Sequence, residues 1–279
     1  MLVELAIGDA YGAQYEFADP DLVAAHNDLQ YATVREDTVP PGNYTDDTQQ
    51  TIAIAELLVE GGDWTPKNIA QKFVDVYHRD PRAGYSRRVR SALHASTTGA
   101  EFLENIDPVS DTSGASMRAC PLGIIADIPE LIERTTIQAK ISHNTPLGIQ
   151  ASIATALATH YCIYQLGEVA DLGKFVASHV KGEWDSPYQE FVGQKGWMSV
   201  RAAFTAMKNH TNLADMLKAC IAYTGDVDTV ATIAMGASVH VAAIENNLPD
   251  HLYQQLEAGN YGLEYLQQLN EKWLKLKKS

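Results

Sequence analysis

The chain has 279 residues and a formal net charge of −14, from 21 basic and 35 acidic residues. This acidic balance excludes a general affinity for polyanions, and a hydrophobic fraction of 46% excludes an intrinsically disordered chain. The length suits one hydrophobic core, and no linker rich in Pro, Gly or Ser divides the sequence, so we predict a single domain over residues 1–279.

Helical periodicity recurs through nearly the whole sequence, while strand patterns are scarce. Apolar residues spaced i, i+3, i+4 and i+7 predict helices over 47–60, 66–78, 146–166, 214–223 and 229–245. Thr65 before Pro66 and Thr145 before Pro146 are good N-caps followed by a proline at the first helical position. The sequence therefore predicts an all-α protein.

Two of the predicted helical stretches consist mainly of small side chains. Ala, Ser and Thr dominate 148–160, and Ala, Thr, Gly and Ser recur through 230–243. Small side chains allow two helix axes to approach closely. We therefore predict that these helices cross at the centre of the molecule and bring the residues just before them together.

The cysteines and the apolar segments bear on the cellular compartment. Cys120, Cys162 and Cys220 are far apart and form no CxxC pair, which predicts reduced core thiols in a cytoplasmic protein. No stretch approaches the roughly 20 apolar residues of a membrane span, and the first residues do not read as a secretory leader. We expect no association with a membrane.

Two short acidic motifs, each ahead of a predicted helix, are the strongest chemical signal in the chain. The first is Tyr44-Thr45-Asp46-Asp47-Thr48-Gln49, and the second is Thr224-Gly225-Asp226-Val227-Asp228-Thr229-Val230. Their carboxylate and hydroxyl oxygens suit Mg²⁺, Ca²⁺ or Mn²⁺, whereas Zn²⁺ prefers Cys or His. We predict a binuclear Mg²⁺ or Mn²⁺ site with six ligands, Thr45, Asp46, Asp47, Asp226, Asp228 and Thr229.

Helix capping is the alternative explanation of these motifs. Thr and Asp are ordinary N-caps, and acids in the first turn of a helix interact favourably with its dipole. One side chain satisfies a cap, however, and a second carboxylate adds a repulsion that a cation would offset. We therefore favour metal binding over capping.

Five motifs, in family order, give the chain a resemblance to the ADP-ribosylglycohydrolases. They are Gly8-Asp9-Ala10-Tyr11-Gly12 with Glu16-Phe17, Pro41-Gly42-Asn43-Tyr44-Thr45-Asp46-Asp47-Thr48, Ser113-Gly114-Ala115-Ser116-Met117-Arg118, Ser142-His143-Asn144-Thr145-Pro146, and Thr224 to Thr229. They are similar to the family patterns GDAxG…EF, PGxxTDDT, GNGxxMR, THxxP and GGDTDT. Each motif alone is weak, but their order and spacing make the resemblance specific.

The resemblance implies a compact all-α, single-domain fold with a central metal cleft that holds two Mg²⁺ or Mn²⁺ ions. It implies hydrolysis of the bond between the anomeric carbon of ADP-ribose and an acceptor. The expected partner is an ADP-ribosylated protein or a small-molecule ADP-ribose conjugate, with nucleic acid only as a modified substrate. The acceptor, the native metal and the oligomeric state stay open.

The resemblance also assigns roles to individual residues. The catalytic set is Glu16, Asp47 and Asp228, with Glu16 as acid/base or as a mobile gate over the site. The substrate-binding set is Ser113, Gly114, Ala115, Ser116, Met117, Arg118 and His143, and the small residues of this loop also offer backbone N–H groups to a diphosphate. A solvated Glu16, an ordinary turn and a structural His143 are the alternatives. Asp9 is predicted to be structural, because a Gly-Asp pair at a helix start usually binds backbone groups.

The chain departs from the family patterns at three places. Thr224 and Val227 replace a Gly and a Thr of the last motif, and Thr112 stands where a Gly is usual before the third. Arg82-Ala83-Gly84 occupies the stretch where bacterial arginine-specific members carry an acid in a DIG segment. This last departure counts against ADP-ribosylated arginine as the acceptor.

Two other functions fit the same motifs. One is hydrolysis of a smaller ribosyl compound or of an O-acyl-ADP-ribose; the Ser113 loop and Arg118 would matter for a diphosphate ligand and not for a bare ribose. The other is a catalytically silent protein that binds ADP-ribose. The retained carboxylates favour an enzyme, because a silent relative has no physical need to hold four of them close together.

Overall fold

Helices account for most of the chain in this computed structural model, which describes residues 1–34 and 39–277. The helices of the described residues are α1 Leu2–Gly12, α2 Pro20–His26, α3 Asp46–Glu60, α4 Pro66–Arg79, α5 Arg87–His94, α6 Gly99–Asn105, α7 Ile128–Lys140, α8 Pro146–Ile163, α9 Leu172–His179, α10 Gly196–Asn209, α11 Leu213–Ala222, α12 Val227–Ser238, α13 Asp250–Gln254 and α14 Leu263–Leu274. Three short 3₁₀ helices lie at Ser113–Ala115, Cys120–Ile124 and Val169–Asp171. The remaining backbone pairing consists of isolated bridges such as Val109 with His143.

Helix starts follow the predicted capping signals closely. The Thr65 hydroxyl accepts a hydrogen bond from the Asn68 N–H, and the Thr145 hydroxyl accepts one from the Gly148 N–H. Each cap satisfies one of the backbone donors that a helix N-terminus leaves without an intrahelical partner. The predicted starts of α4 and α8 are therefore confirmed.

Two predicted helix ends were wrong, and both were too late. The helix predicted over 146–166 ends at Ile163, because Gln165 adopts a left-handed backbone with φ of 51°. The helix predicted over 229–245 ends at Ser238. Beyond it, Glu245 exchanges backbone hydrogen bonds with Thr211 and Leu213 at the start of α11, so its N–H and C=O cannot continue a helix.

The centre of the molecule is built on helix α12, all of whose residues are buried. The predicted packing of α8 against α12 is confirmed, although α12 packs more extensively against α1. Gly8 and Gly12 make that approach possible: a Cβ on Gly8 would lie 2.7 Å from the Ala231 carbonyl oxygen, and one on Gly12 would overlap Asp228. This close packing places the start of α12 beside the end of α1.

The three cysteines, Cys120, Cys162 and Cys220, are free and buried, as predicted. Across residues 1–34 and 39–277, none of the helices has both the length and the apolar character that crossing a bilayer requires. The boundary of one domain over residues 1–279 stays a prediction.

Candidate active site

Seven separate segments of the chain line a cleft of about 200 Å³ at the N-terminal ends of α3 and α12. The lining residues are Glu16, Phe17, Asp46, Asp47, Gln50, Gly84, Ser86, Val89, Thr112, Ser113, Gly114, Met117, Arg118, His143, Gln194, Asp226, Asp228 and Thr229. Most of the predicted site residues are in this set. Of the others, Thr45 is the N-cap of α3, while Ala115 and Ser116 are buried in the loop behind Gly114.

Asp9 holds the first acidic motif in place from the adjacent helix α1. It accepts hydrogen bonds from the backbone N–H groups of Thr45 and Thr48, at 3.0 and 2.9 Å, and from both of their hydroxyls, at 2.7 and 2.6 Å. Asp9 thus binds backbone groups as predicted, although it lies near the end of α1 rather than at a helix start. The start of α3 is fixed in this way, with Asp46 and Asp47 in the first helical turn.

The second acidic motif is held by neighbours on three sides. The Asp226 N–H donates to the Val192 carbonyl at 2.9 Å, and the Ser199 hydroxyl donates to an Asp226 carboxylate oxygen at 2.9 Å. Gly12 lies against the backbone of Asp228 from the α1 side. Gly225, with φ of 92°, makes the turn into α12, where a Cβ would overlap the Val192 carbonyl.

The two motifs meet through a direct side-chain contact. The Thr229 hydroxyl donates to Asp47 Oδ1 at 3.0 Å, although the two residues are 182 positions apart in sequence. Glu16 completes the group from the segment after α1, because one oxygen of each of Glu16, Asp226 and Asp228 lies within 4.8 Å of the others. The convergence expected from the sequence is therefore present.

The carboxylates of this cluster are destabilised as anions by burial and by one another. Desolvation raises the pKa of Asp46, Asp47 and Asp228 well above the usual aspartate value, and the negative charges of neighbouring acids, including Asp9 and Asp226, raise it further. A divalent cation would offset both effects. Of the described residues that line the cleft, none is a cysteine and one is a histidine, so the oxygen-rich donor set fits Mg²⁺ or Mn²⁺ rather than Zn²⁺.

The loop after Thr112 forms a 3₁₀ turn against the ring of His143. A Cβ on Gly114 would lie 2.8 Å from the ring carbon Cε1, so glycine allows the imidazole to contact the loop backbone. The Ser116 hydroxyl donates to the Ser113 carbonyl at 2.7 Å, and the Ser152 hydroxyl donates to the Ala115 carbonyl at 2.8 Å. These hydrogen bonds fix the backbone of the loop.

Arg118 lies at the bottom of the cleft and is only 2% exposed. Its guanidinium donates to Gln138 Oε1 at 2.6 Å, to the Gln138 carbonyl at 3.0 Å, to Ser142 Oγ at 3.0 Å and to Gln50 Oε1. The ring of Phe73 lies 4.5 Å from its carbon Cζ. Since Arg118 already uses four donor contacts inside the protein, its role in substrate binding stays a prediction.

The segment Arg82-Ala83-Gly84 packs directly on Asp46. The Asp46 N–H donates to the Ala83 carbonyl at 3.1 Å, and a Cβ on Gly84 would overlap Asp46 Oδ1. Arg82 forms ion pairs with Asp80 and Glu257, and its guanidinium lies 4.1 Å from the ring centre of Tyr44. Position 82 therefore presents neither a carboxylate nor an unpaired cation.

Sequence reasoning did not identify Gln50, Ser86, Val89 and Gln194, which also line the cleft. Gln50 lies one helical turn after Asp46, so the periodicity of α3 carried a signal for it. Ser86 is the N-cap of α5, and the preference of serine for this position is the signal that could have identified it. No local pattern marks Gln194, whose position depends on the backbone pairing of Lys195 with Thr112.

Comparison with known proteins agrees with this architecture. A family model described as ADP-ribosylglycohydrolase matches residues 1–278. The ADP-ribosyl-[dinitrogen reductase] glycohydrolase of Rhodospirillum rubrum is 28% identical and covers 82% of this chain and 80% of its own. The ADP-ribosylarginine hydrolase Tri1 of Serratia proteamaculans (strain 568) is 24% identical, and the match covers 93% of this chain and 76% of the relative. A solved chain described as an ADP-ribosylglycohydrolase-related protein complex superposes with a TM-score of 0.71 at 20% identity, over 99% of this chain and 96% of that one. The predicted all-α fold is confirmed.

Proposed function

Because the chain belongs to the ADP-ribosylglycohydrolase family, we propose that it hydrolyses the glycosidic bond between ADP-ribose and an acceptor. The observation that carries this proposal is the hydrogen bond from Thr229 to Asp47, which joins two distant acidic motifs at one cleft. The names of its full-length relatives, a glycohydrolase and an arginine hydrolase, support removal of ADP-ribose by hydrolysis.

The proposal includes two divalent cations, Mg²⁺ or Mn²⁺. The residues that would hold them are Thr45, Asp46, Asp47, Asp226, Asp228 and Thr229. When bound, such ions act as Lewis acids that polarise substrate and water oxygens. The support for this assignment is the set of buried carboxylates. Their negative charges repel one another, and a bound cation would stabilise their ionised form.

The remaining residues bind the substrate and move protons. Glu16 is the half-buried carboxylate at the cleft, and we assign it the transfer of a proton to the leaving acceptor or from the attacking water. Asp47 and Asp228 orient the reacting sugar from the two helix starts. The Ser113 loop and His143 are assigned to the diphosphate, for which backbone N–H groups of a tight turn are suitable donors.

A release assay tests the proposal. Protein and peptide substrates carrying ADP-ribose on arginine or serine, and nucleic acid carrying it at a terminal phosphate, are incubated with the enzyme, with and without EDTA. We expect release from at least one substrate, lost in EDTA and restored by Mg²⁺ or Mn²⁺. The variant Glu16→Gln should lose most of the activity, whereas Glu104→Gln, at an exposed acid on α6, should retain it. Absence of release from every substrate would contradict the proposal and leave the smaller-substrate hydrolase and the silent, binding form of the protein.

The acceptor is the least constrained part of the proposal. Position 82 offers no carboxylate that could recognise an arginine acceptor, because it is itself an arginine. The Arg82 side chain is paired with Asp80 and Glu257. We therefore expect arginine conjugates to be poorer substrates than they are for a relative that carries an acid there. The ranking of the acceptors in the release assay measures this directly.

The smaller-substrate alternative makes a different prediction about binding. An enzyme for a bare ribosyl compound would bind ribose and ADP-ribose equally, because it would gain nothing from the Ser113 loop. We expect ADP-ribose to bind at least about tenfold more tightly than ribose in Mg²⁺, since the diphosphate adds charge-assisted hydrogen bonds.

We also propose a cytoplasmic location, in keeping with the free, buried cysteines.

A further inference from the structure

A chain of hydrogen bonds leads from buried Arg118 to the loop that faces the cleft. Arg118 Nη2 lies 3.0 Å from Ser142 Oγ, and Ser142 Oγ lies 2.8 Å from His143 Nδ1. On the other side of the ring, His143 Nε2 lies 3.1 Å from Thr112 Oγ1, which in turn lies 2.9 Å from Ser110 Oγ. Distances alone do not assign the hydrogens, but the chemistry of the groups does.

The direction of the chain is determined at its first link. A guanidinium has donors and no acceptor, so Ser142 Oγ must accept from Arg118. The Ser142 hydroxyl is buried, and within the described part of the chain its recorded partners are Arg118 and His143. Its own hydrogen therefore has one place to go, His143 Nδ1. A nitrogen that accepts a hydrogen bond is unprotonated, so the proton of the neutral ring is on Nε2.

The surroundings of the ring oppose a second proton. His143 is 2% exposed, and the charged groups that act on it are the cations Arg118 and Arg88. Burial, and then these two charges, lower the pKa of His143 well below its usual value. Burial lowers the pKa of Arg118 to about 9, which leaves the guanidinium charged at neutral pH.

We propose that Arg118 and Ser142 are positioning residues that hold His143 as the neutral tautomer protonated at Nε2. The Nε2–H then donates to Thr112 Oγ1, whose hydrogen passes on to Ser110. His143 becomes a fixed donor that orients the start of the Ser113 loop, and it does not act as a general acid or base. The tautomer follows from this network alone, while its use in binding a diphosphate rests on the proposed function.

Long-range ¹H–¹⁵N correlation spectra of protein labelled at histidine nitrogens test the tautomer without any substrate. The His143 signals are identified by their loss in His143→Gln. At pH 7 we expect Nδ1 to show the shift of an unprotonated nitrogen and Nε2 that of a protonated one. A protonated Nδ1 in the wild-type protein would overturn the inference, whatever the enzyme assays show.

Ser142→Ala removes the donor to Nδ1 and leaves the charge of Arg118 in place. We expect the spectrum to lose the single Nε2–H form, and the affinity for ADP-ribose to fall about 3- to 10-fold, the effect of one hydrogen bond. Ser142→Thr, which keeps the hydroxyl, should restore both. Ser238→Ala, at a buried serine remote from the cleft that contacts Met216, is the matched control and should change neither.

The measurements separate the two hypotheses. An unchanged tautomer in Ser142→Ala would contradict the positioning role. A changed tautomer with unchanged ADP-ribose affinity would contradict the use of His143 at the diphosphate. If hydrolysis is absent from every substrate while the tautomer is as proposed, the function fails and the network stands. Should Ser142→Ala fail to fold, Arg118→Lys, which keeps a cationic donor near Ser142, replaces it. Retention of the Nε2–H form in this variant supports the inference, and loss of that form contradicts it.

Discussion

Gly12 and Asp228 are in direct backbone contact: a Cβ on Gly12 would overlap the Asp228 Cα and lie 2.9 Å from its nitrogen. The contact joins the end of α1 to the first turn of α12. A proposed ligand of the metal site is therefore positioned by a glycine that has no side chain to offer the site.

Gly12→Ala tests the importance of this contact. The added methyl group must push α12 away from α1, because its neighbours are backbone atoms that cannot rotate aside. We expect a loss of about 1–3 kcal/mol in the free energy of unfolding and a larger fractional loss of hydrolytic activity. Denaturant unfolding and the release assay measure the two effects.

The control for that experiment is Gly62→Ala. A Cβ on Gly62 meets no atom within 4 Å, so this change should leave both stability and activity within about 0.5 kcal/mol of the wild-type values. If Gly12→Ala and Gly62→Ala had the same stability and the same activity, the contact between α1 and α12 would matter for neither.

Asp228→Asn should make the metal-free protein more stable and the enzyme inactive. Burial, together with the charges of Glu16, Asp47 and Asp226, raises the pKa of Asp228. A carboxyl group whose pKa is raised by folding makes the protein less stable as the pH rises from the unfolded value through the folded one. The free energy of unfolding that Asp228→Asn gains over the metal-free wild type should therefore grow with pH and reach about 1 kcal/mol or more at pH 8.

Thermal unfolding with and without Mg²⁺ or Mn²⁺ measures this effect. The wild-type protein should gain stability on adding metal, and Asp228→Asn should gain much less. Glu104→Gln, remote from the cleft, should respond like the wild type. A full metal response in Asp228→Asn would remove Asp228 from the ligand set.

Asp9→Ala should be among the most destabilising changes near the cleft. The substitution leaves four hydrogen-bond donors of Thr45 and Thr48 without their acceptor in a buried position. We expect a loss of about 3 kcal/mol or more in the free energy of unfolding. Asp9→Asn retains one acceptor oxygen and should lose less, and a smaller loss for Ala than for Asn would contradict this account.

His143 should make a destabilising contribution to the folded protein as the pH drops below about 6.5, the usual histidine pKa. The folded-state pKa of His143 is lowered, so below that pH the unfolded chain binds a proton that the folded chain does not. The contribution is at most about 1.4 kcal/mol per pH unit. Between pH 5 and pH 7, the slope of the unfolding free energy against pH should be less positive in His143→Gln than in the wild type. His26→Gln, at an exposed site, should keep the wild-type slope, and equal slopes in all three proteins would contradict the lowered pKa.

Local chemistry was enough to predict the starts of α4 and α8. Thr65 with Pro66 and Thr145 with Pro146 determine where α4 and α8 begin, because a cap depends on three or four neighbouring residues. Helix ends were less predictable. Glu245 has its backbone groups taken by the segment before α11, and no local pattern announces that long-range pairing.

The same limit applies to the site. The acidic motifs were recognisable, since carboxylates held close together repel one another unless a cation offsets their charge, but the hydrogen bond of Thr229 to Asp47 depends on how α3 and α12 pack. Arg118 shows the limit most clearly. Its motif resembles a phosphate loop, yet only the fold reveals that the guanidinium turns inward to Gln50, Gln138 and Ser142.

The separation of 182 residues between Asp47 and Thr229 also bears on biosynthesis. While the ribosome is still making the chain, a nascent polypeptide that has released α3 but not α12 offers only half of the six proposed metal ligands. Loading of the proposed site with Mg²⁺ or Mn²⁺ must therefore wait until Asp228 and Thr229 have been synthesised. An ion captured earlier would be held weakly.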